Sequence, residues 1–283
     1  MPDFPIIDTH VHLWDPNHLR YSWLDETPLL NQSYQLKELD QLKKPVEIDQ
    51  IVFLEAGADP GQSLAEVNWV TELASLDSRI TGIVAQASLE DGEDVRTYLE
   101  TLAANPLVKG VRRLLQGESD SAYCLRPDFI HGVQILSDYN FSFDICIYHF
   151  QLKHILKLVE KCPNTKFILD HIGKPDIKNQ LFNPWESEIK ALAQFANVTC
   201  KISGLVTEAD HASWTENDLI PYIKHIIDCF GFDRVMFGGD WPVVRLAAEY
   251  PRWVEVVDAA IAGCSDIEKQ KLYRSNAIDF YRM

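Results

Sequence analysis

A single, somewhat distorted (β/α)8 barrel of the TIM type is the α/β fold that residues 1–283 predict, on three observations. Eight short strand-like segments alternate with segments of helical periodicity. Several of the strand-like segments are continuous apolar runs, as expected of strands buried on both faces of a parallel sheet. Polar side chains suited to chemistry fall at their C-terminal ends, where a barrel gathers its loops. The alternative is an open, doubly wound sheet. It calls for a glycine-rich phosphate turn, and the chain contains none.

The first strand is Ile6–His12, an apolar run ending in two histidines one residue apart. A long aromatic-rich connection follows, carrying Trp14, Tyr21 and Trp23 with no clean period. Connections of that length tend to be binding loops or lids. Trp14 is accordingly expected either to cover one end of the core or to touch substrate. After Pro45 the rhythm becomes regular: strand 48–55, helix 62–76, strand 80–87, helix 93–104, strand 108–115 and helix 127–139. Strand 141–148 precedes a helix through Lys161, strand 166–171 one over 184–196, and strand 198–203 one over 215–230. The last strand is 234–238, with helices beyond it. Apolar residues at helical spacing, such as Leu64, Val67, Val70, Leu73 and Ala74, define the helices.

Composition narrows the function. With 46% hydrophobic and 24% charged residues among 283, the chain reads as a globular protein. A formal charge of -16 argues against nucleic acid or an acidic membrane as partner. No apolar run approaches the roughly 18 residues that span a bilayer, and the first residues lack the layout of a signal peptide, so a cytoplasmic location is expected. The six cysteines show no zinc-type spacing and read as reduced, mostly buried thiols.

The polar residues at the strand ends form a ring. His10 and His12 close strand one, Glu55 strand two and Gln86 strand three. Arg112 and Arg113 lie on strand four, His149 follows strand five, Asp170 and His171 end strand six, Lys201 and Ser203 lie on strand seven, and Asp240 follows strand eight. Burying so many polar groups apart from one another is costly, so one shared site is the economical reading. Side chains at i and i+2 of a strand share a face, so His10 and His12 converge as a divalent-metal pair would.

These positions carry a resemblance. The His-x-His of strand one, the histidines after strand five and at strand six, and the final aspartate resemble the layout of the amidohydrolase superfamily. Residues 9–15, 109–116, 169–175, 201–205 and 237–242 are similar to its sugar-acid lactonase branch, which includes L-fuconolactonase-like and L-rhamnonolactonase-like hydrolases. The 2-pyrone-4,6-dicarboxylate lactonases are near relatives. The resemblance implies a hydrolase that opens a small-molecule lactone to a hydroxy acid.

Such a reaction needs an activated water, a group to take its proton and donors for the oxyanion. Asp240 is the expected general base. His171 is expected as metal ligand, carbonyl polariser or acid to the leaving alkoxide. Metal ligands are expected to be His10, His12 and Asp240, holding one divalent ion, with zinc favoured by the N/O donor set. A metal-free site remains the alternative, because related pyrone lactonases are thought to work without metal.

Substrate contacts are expected from Trp14, Arg112, Arg113, His149 and Lys174, with Arg245 a further cationic candidate and Glu55 a residue orienting a histidine. Adjacent strand residues point oppositely, so at most one of Arg112 and Arg113 faces the barrel interior. Three functional readings follow: a sugar-acid lactonase, a pyrone-dicarboxylate or muconolactone hydrolase demanding a more cationic lining, and a metal-dependent decarboxylase or non-catalytic barrel. A homo-oligomer is left open.

Overall fold

The computed structural model describes residues 1–283. Its eight strands are β1 (Ile6–Val11), β2 (Ile48–Leu54), β3 (Ile80–Gln86), β4 (Val108–Arg112), β5 (Ser142–Ile145), β6 (Lys166–Leu169), β7 (Val198–Ile202) and β8 (Val235–Phe237). They pair in parallel in strict chain order. The ring shuts at its upper rim, where Asp240 N–H donates to His10 O at 2.8 Å and His12 N–H to Trp241 O at 2.7 Å. Ten α-helices accompany them: α1 (Leu36–Leu42), α2 (Ser63–Leu76), α3 (Arg96–Ala103), α4 (Pro127–Ile135), α5 (Leu152–Lys161), α6 (Trp185–Leu192), α7 (Glu216–Phe230), α8 (Tyr250–Ala260), α9 (Asp266–Gln270) and α10 (Asn276–Tyr281). This is the expected (β/α)8 barrel.

Two apolar layers hold it. The larger lies between the sheet and the helices. The smaller fills the barrel itself with Val52 and Leu54 of β2, Val84 of β3, Ile168 of β6 and Met236 of β8, closed from below by Tyr281 of α10, all fully buried. Each aliphatic side chain buried in this way stabilises the fold by about 1.5–3 kcal/mol.

Several elements differ from expectation. The strand expected over 166–171 stops at Leu169, because the next four residues form a tight turn with positive φ at His171 (53°) and Ile172 (50°). β4 likewise stops at Arg112 rather than running to 115, and β5 is shorter than 141–148. The connection after β1 is more ordered than its lack of period suggests. It contains a turn of helix (Ser22–Glu26) and α1, which is capped where Gln35 N–H donates to Glu38 Oε2 at 3.0 Å. Its aromatics build a cluster of their own: Trp14 packs edge-on to Trp23 (centroids 5.3 Å) and Tyr34 (5.6 Å), and Tyr34 on Trp241 (5.4 Å). All six cysteines are free, four of them buried. No helix is long and apolar enough to cross a membrane.

Candidate active site

The site begins with an irregularity in β1. Asp8 pairs with Ile51 and Val11 with Phe53, so three steps of β1 face two of β2. A bulge of this kind re-aims side chains. Asp8 therefore faces the seam with β8, where it accepts from His10 N–H (3.0 Å), Gly239 N–H (2.7 Å) and Tyr250 O–H (2.8 Å). His10 and His12 turn together into the barrel, their Nε2 atoms 3.2 Å apart. Gly238 permits this approach: a Cβ there would lie 2.7 Å from His10 Cβ and 2.9 Å from Ser203 Cβ.

Across the seam, Asp240 sits beyond β8 at φ 54°, in the left-handed region that aspartate tolerates better than most residues. Its Oδ1 lies 3.6 Å from His10 Nε2, 3.5 Å from His12 Nε2 and 4.0 Å from His171 Nε2. His171 is held by Ser203, whose Oγ lies 3.0 Å from His171 Nδ1 and accepts from the His171 N–H at 3.3 Å. Gly204, at φ 65°, leaves room for that imidazole, since a Cβ would fall 2.3 Å from Nδ1. Of the seven non-glycine residues with positive φ, His171, Ile172, Lys174 and Asp240 surround this one place. Such backbone costs about 1–3 kcal/mol each and clusters where function demands it.

The donors fit a divalent cation. His12 Nδ1–H donates to Leu54 O at 3.0 Å, which leaves its Nε2 lone pair facing the centre. Burial, reinforced by the Lys201 charge, holds His10 well below the ordinary histidine pKa, and burial does the same for His171. Neutral His10 turns Nδ1 toward Asp170 Oδ1 at 3.4 Å, so its Nε2 also presents a lone pair. The triangle of His10 Nε2, His12 Nε2 and Asp240 Oδ1 has edges of 3.2, 3.5 and 3.6 Å. A tetrahedral ion at ordinary zinc bond lengths requires edges of about 3.3–3.5 Å. Two lone pairs and a carboxylate oxygen converging on one point form a site that a cation held between them would stabilise. A second grouping, His10, Asp170 and His171, overlaps the first.

Arg112 is the residue of the arginine pair that turns inward. Its Nε–H donates to Glu55 Oε1 and its Nη2–H to Glu55 O, both at 2.7 Å, while Nη1 lies 3.3 Å from Asp170 Oδ2 and 3.4 Å from His10 Nε2. Glu55 thus anchors an arginine rather than orienting a histidine. The orienting carboxylate is Asp170.

A cavity of about 410 Å3 opens above these groups, lined in part by His12, Trp14, Arg112, Lys174, His171 and Asp240. Trp14 is fully buried, covering one end of the core, and also walls the cavity. Lys174 lies 3.7 Å from Glu208, with charged neighbours holding its pKa above the ordinary lysine value against the effect of burial.

Arg113 and His149 are not brought to the cavity. Arg113 points outward, donating to Glu90 (2.9 Å) and Glu118 (2.7 Å), as the alternation along β4 requires. His149 stands in the turn after β5, its Nδ1 3.1 Å from Lys174 O, and reaches the site only through that backbone. Arg245 caps Tyr34 instead. Sequence reasoning missed Ser22, Asp59, Gln116, Cys146 and Thr207, which also line the cavity. Cys146 directly follows β5, and the others come from the connections beyond β1, β2, β4 and β7, where the apolar pattern of the strands does not single out a position.

The chain is similar along nearly its whole length to several known proteins. The chain is 29% identical over 292 residues to L-fucono-1,5-lactonase of Burkholderia multivorans, covering 98% of this chain and 96% of that one. It is 23% identical to L-rhamnono-gamma-lactonase of Scheffersomyces stipitis over the whole of both chains. A crystal structure of an amidohydrolase from Burkholderia multivorans with bound zinc superposes with a TM-score of 0.88 at 27% identity, covering 99% of this chain and 100% of the other. A sequence-family model described as Amidohydrolase matches residues 7–283, and the chain belongs to that family.

Proposed function

We propose that the protein hydrolyses a sugar-acid lactone, of the L-fuconolactone or L-rhamnonolactone type, to the open hydroxy acid, with zinc as the divalent ion between His10, His12 and Asp240. The observation that carries this reading is the convergence of the Asp240 carboxylate, two imidazoles and only two cations, Arg112 and Lys174, on a single cavity at the C-terminal end of the barrel. Two cations suit a lactone whose ring is neutral and whose product is a monocarboxylate. A pyrone dicarboxylate calls for more. The rest of the lining, with Ser22, Gln116, Thr207 and the indoles of Trp14 and Trp23, offers hydrogen bonds and flat apolar faces to a polyol. Both indole N–H groups are already donated to backbone carbonyls, so their rings are fixed as walls. The names of the relatives support the same substrate class.

An ion held by this donor set supplies positive charge that acidifies a water and polarises a carbonyl. Asp240 accepts the proton of the attacking water as its oxygen bonds to the lactone carbon. Arg112, kept rigid by its two bonds to Glu55, and Lys174 present N–H donors where the carbonyl oxygen gains charge. The ring C–O bond then breaks, and the proton passes to the departing alkoxide. His171, neutral through burial and 4.0 Å from Asp240, lies on that route.

A pH-indicator screen over aldonolactones, with and without chelator and with carbon dioxide measured in parallel, tests the proposal. Proton release that the chelator abolishes is expected. Carbon dioxide from an aromatic acid, with no lactone turned over, would replace this reading with the decarboxylase.

A further inference from the structure

Below the cavity, away from its lining, lies a group of charges that the reaction does not touch. Lys201 on β7 is fully buried. Its Nζ donates to Asp144 Oδ2 at 2.7 Å and lies 3.1 Å from Asp170 Oδ1. Asp144 is fixed in turn by Ser142 Oγ–H, 3.0 Å from Oδ1, and Tyr281 O–H, 3.1 Å from Oδ2. The chain of contacts therefore runs from the plug of the barrel floor, through Asp144 and Lys201, to Asp170, and ends at His10 Nδ1.

Each of the three site imidazoles has its own orienting partner: a backbone carbonyl for His12, a hydroxyl for His171 and the Asp170 carboxylate for His10. The His10 partner is the least secured. His10 Nδ1 is buried without a hydrogen-bond partner and faces Asp170 Oδ1 at 3.4 Å, an oxygen whose other close neighbour is Lys201 Nζ at 3.1 Å. Nothing else on the Nδ1 side fixes this imidazole, so the position of Asp170 decides where His10 Nε2 points. A buried ion pair contributes little net stability compared with apolar residues of the same volume, which makes a purely structural account of a fully buried lysine weak.

We infer that Lys201 is a positioning residue for the metal centre: anchored by Asp144, it holds the Asp170 carboxylate against His10 and so sets the direction of the His10 lone pair. The inference rests on the divalent ion of the proposed function and does not depend on the substrate. Partners of this kind change metal affinity by about 10–100-fold when removed.

The test uses the whole chain, stripped of metal and titrated with zinc against a chromophoric chelator, alongside melting temperatures of the metal-free proteins. Asp170→Asn and Lys201→Met are each expected to weaken zinc binding by about 10–100-fold. Their double variant should lose no more than the larger single effect, because the two act through one contact. A folded Lys201→Met with wild-type affinity, or losses that multiply in the double variant, would overturn the inference. If Lys201→Met does not fold, Lys201→Met/Asp144→Asn removes the pair together and is read in the same way. A wild-type chain that takes up no zinc overturns this inference along with the metal assignment, whereas zinc uptake indifferent to Lys201 overturns it alone.

Discussion

Replacing Asp240 by asparagine tests the mechanism with little disturbance to the fold. The two side chains share a shape, and asparagine accepts the φ of 54° as readily as aspartate does. The backbone bonds from Asp240 N–H to His10 O and from Val244 N–H to Asp240 O, both 2.8 Å, do not involve the side chain. The carboxylate oxygen that faces three imidazole nitrogens at 3.5–4.0 Å is what changes. Loss of a general base removes about 10²–10⁴-fold of rate, or roughly 3–5.5 kcal/mol of barrier. The proposed ligand role of Asp240 means that zinc binding should weaken as well, so the assay is run at saturating zinc with metal content checked. Proton release at saturating lactone is compared with wild type, and melting temperature is followed separately. A kcat within tenfold of wild type at full metal occupancy would refute Asp240 as base.

Alanine at both His10 and His12 should abolish stoichiometric metal; elemental analysis of that double variant showing one ion per chain would remove the pair from the ligand set. Arg112→Lys loses the fork that grips Glu55 and should cost about tenfold or more in kcat/KM. Arg113→Ala, in contrast, should stay within about twofold, because its partly exposed ion pairs with Glu90 and Glu118 are worth about 1 kcal/mol or less; equal losses in the two variants would mean the cavity is misassigned. Burial, with the Glu55 charge beside it, pushes the Glu66 carboxyl up to about 8 from 4.5. Folding stability should therefore fall as pH rises from about 4.5 through 8, by up to roughly 1.4 kcal/mol per unit from this group, since the unfolded chain releases the proton first. Glu66→Gln should flatten that slope in denaturant titrations, and an unchanged slope would show that Glu66 does not titrate in this window.

Strand rhythm was the most legible feature of the sequence, because barrel strands are apolar on both faces and their polar exceptions stand out. His10, His12, His171 and Asp240 could be read as one site for that reason. Which arginine turned inward could not be read, since alternation says only that Arg112 and Arg113 diverge, and the phase is set by where β4 ends. His149 was misleading for a related reason: the apolar run continues past Ile145 while the strand does not, so a residue that looked like a strand end lies in a turn. Glu55 was paired with the wrong partner because Asp170, adjacent to His171 in sequence, reaches His10 instead, a contact between β1 and the turn after β6 that spacing along the chain does not encode.

The ring is shut by the residues that form the donor triangle: His10 and His12 come from the first strand, Asp240 from just past the last, and the closing backbone bonds join Asp240 to His10 and Trp241 to His12. Assembly of the chemical centre and completion of the cylinder are therefore one event, and no fragment lacking either edge possesses the donor triangle. An ion bound there works as a clasp across the join, favouring the shut form by its binding free energy. Amide hydrogen exchange along β1 and β8 should slow on zinc addition more than exchange on the far side of the barrel, at β4 and β5.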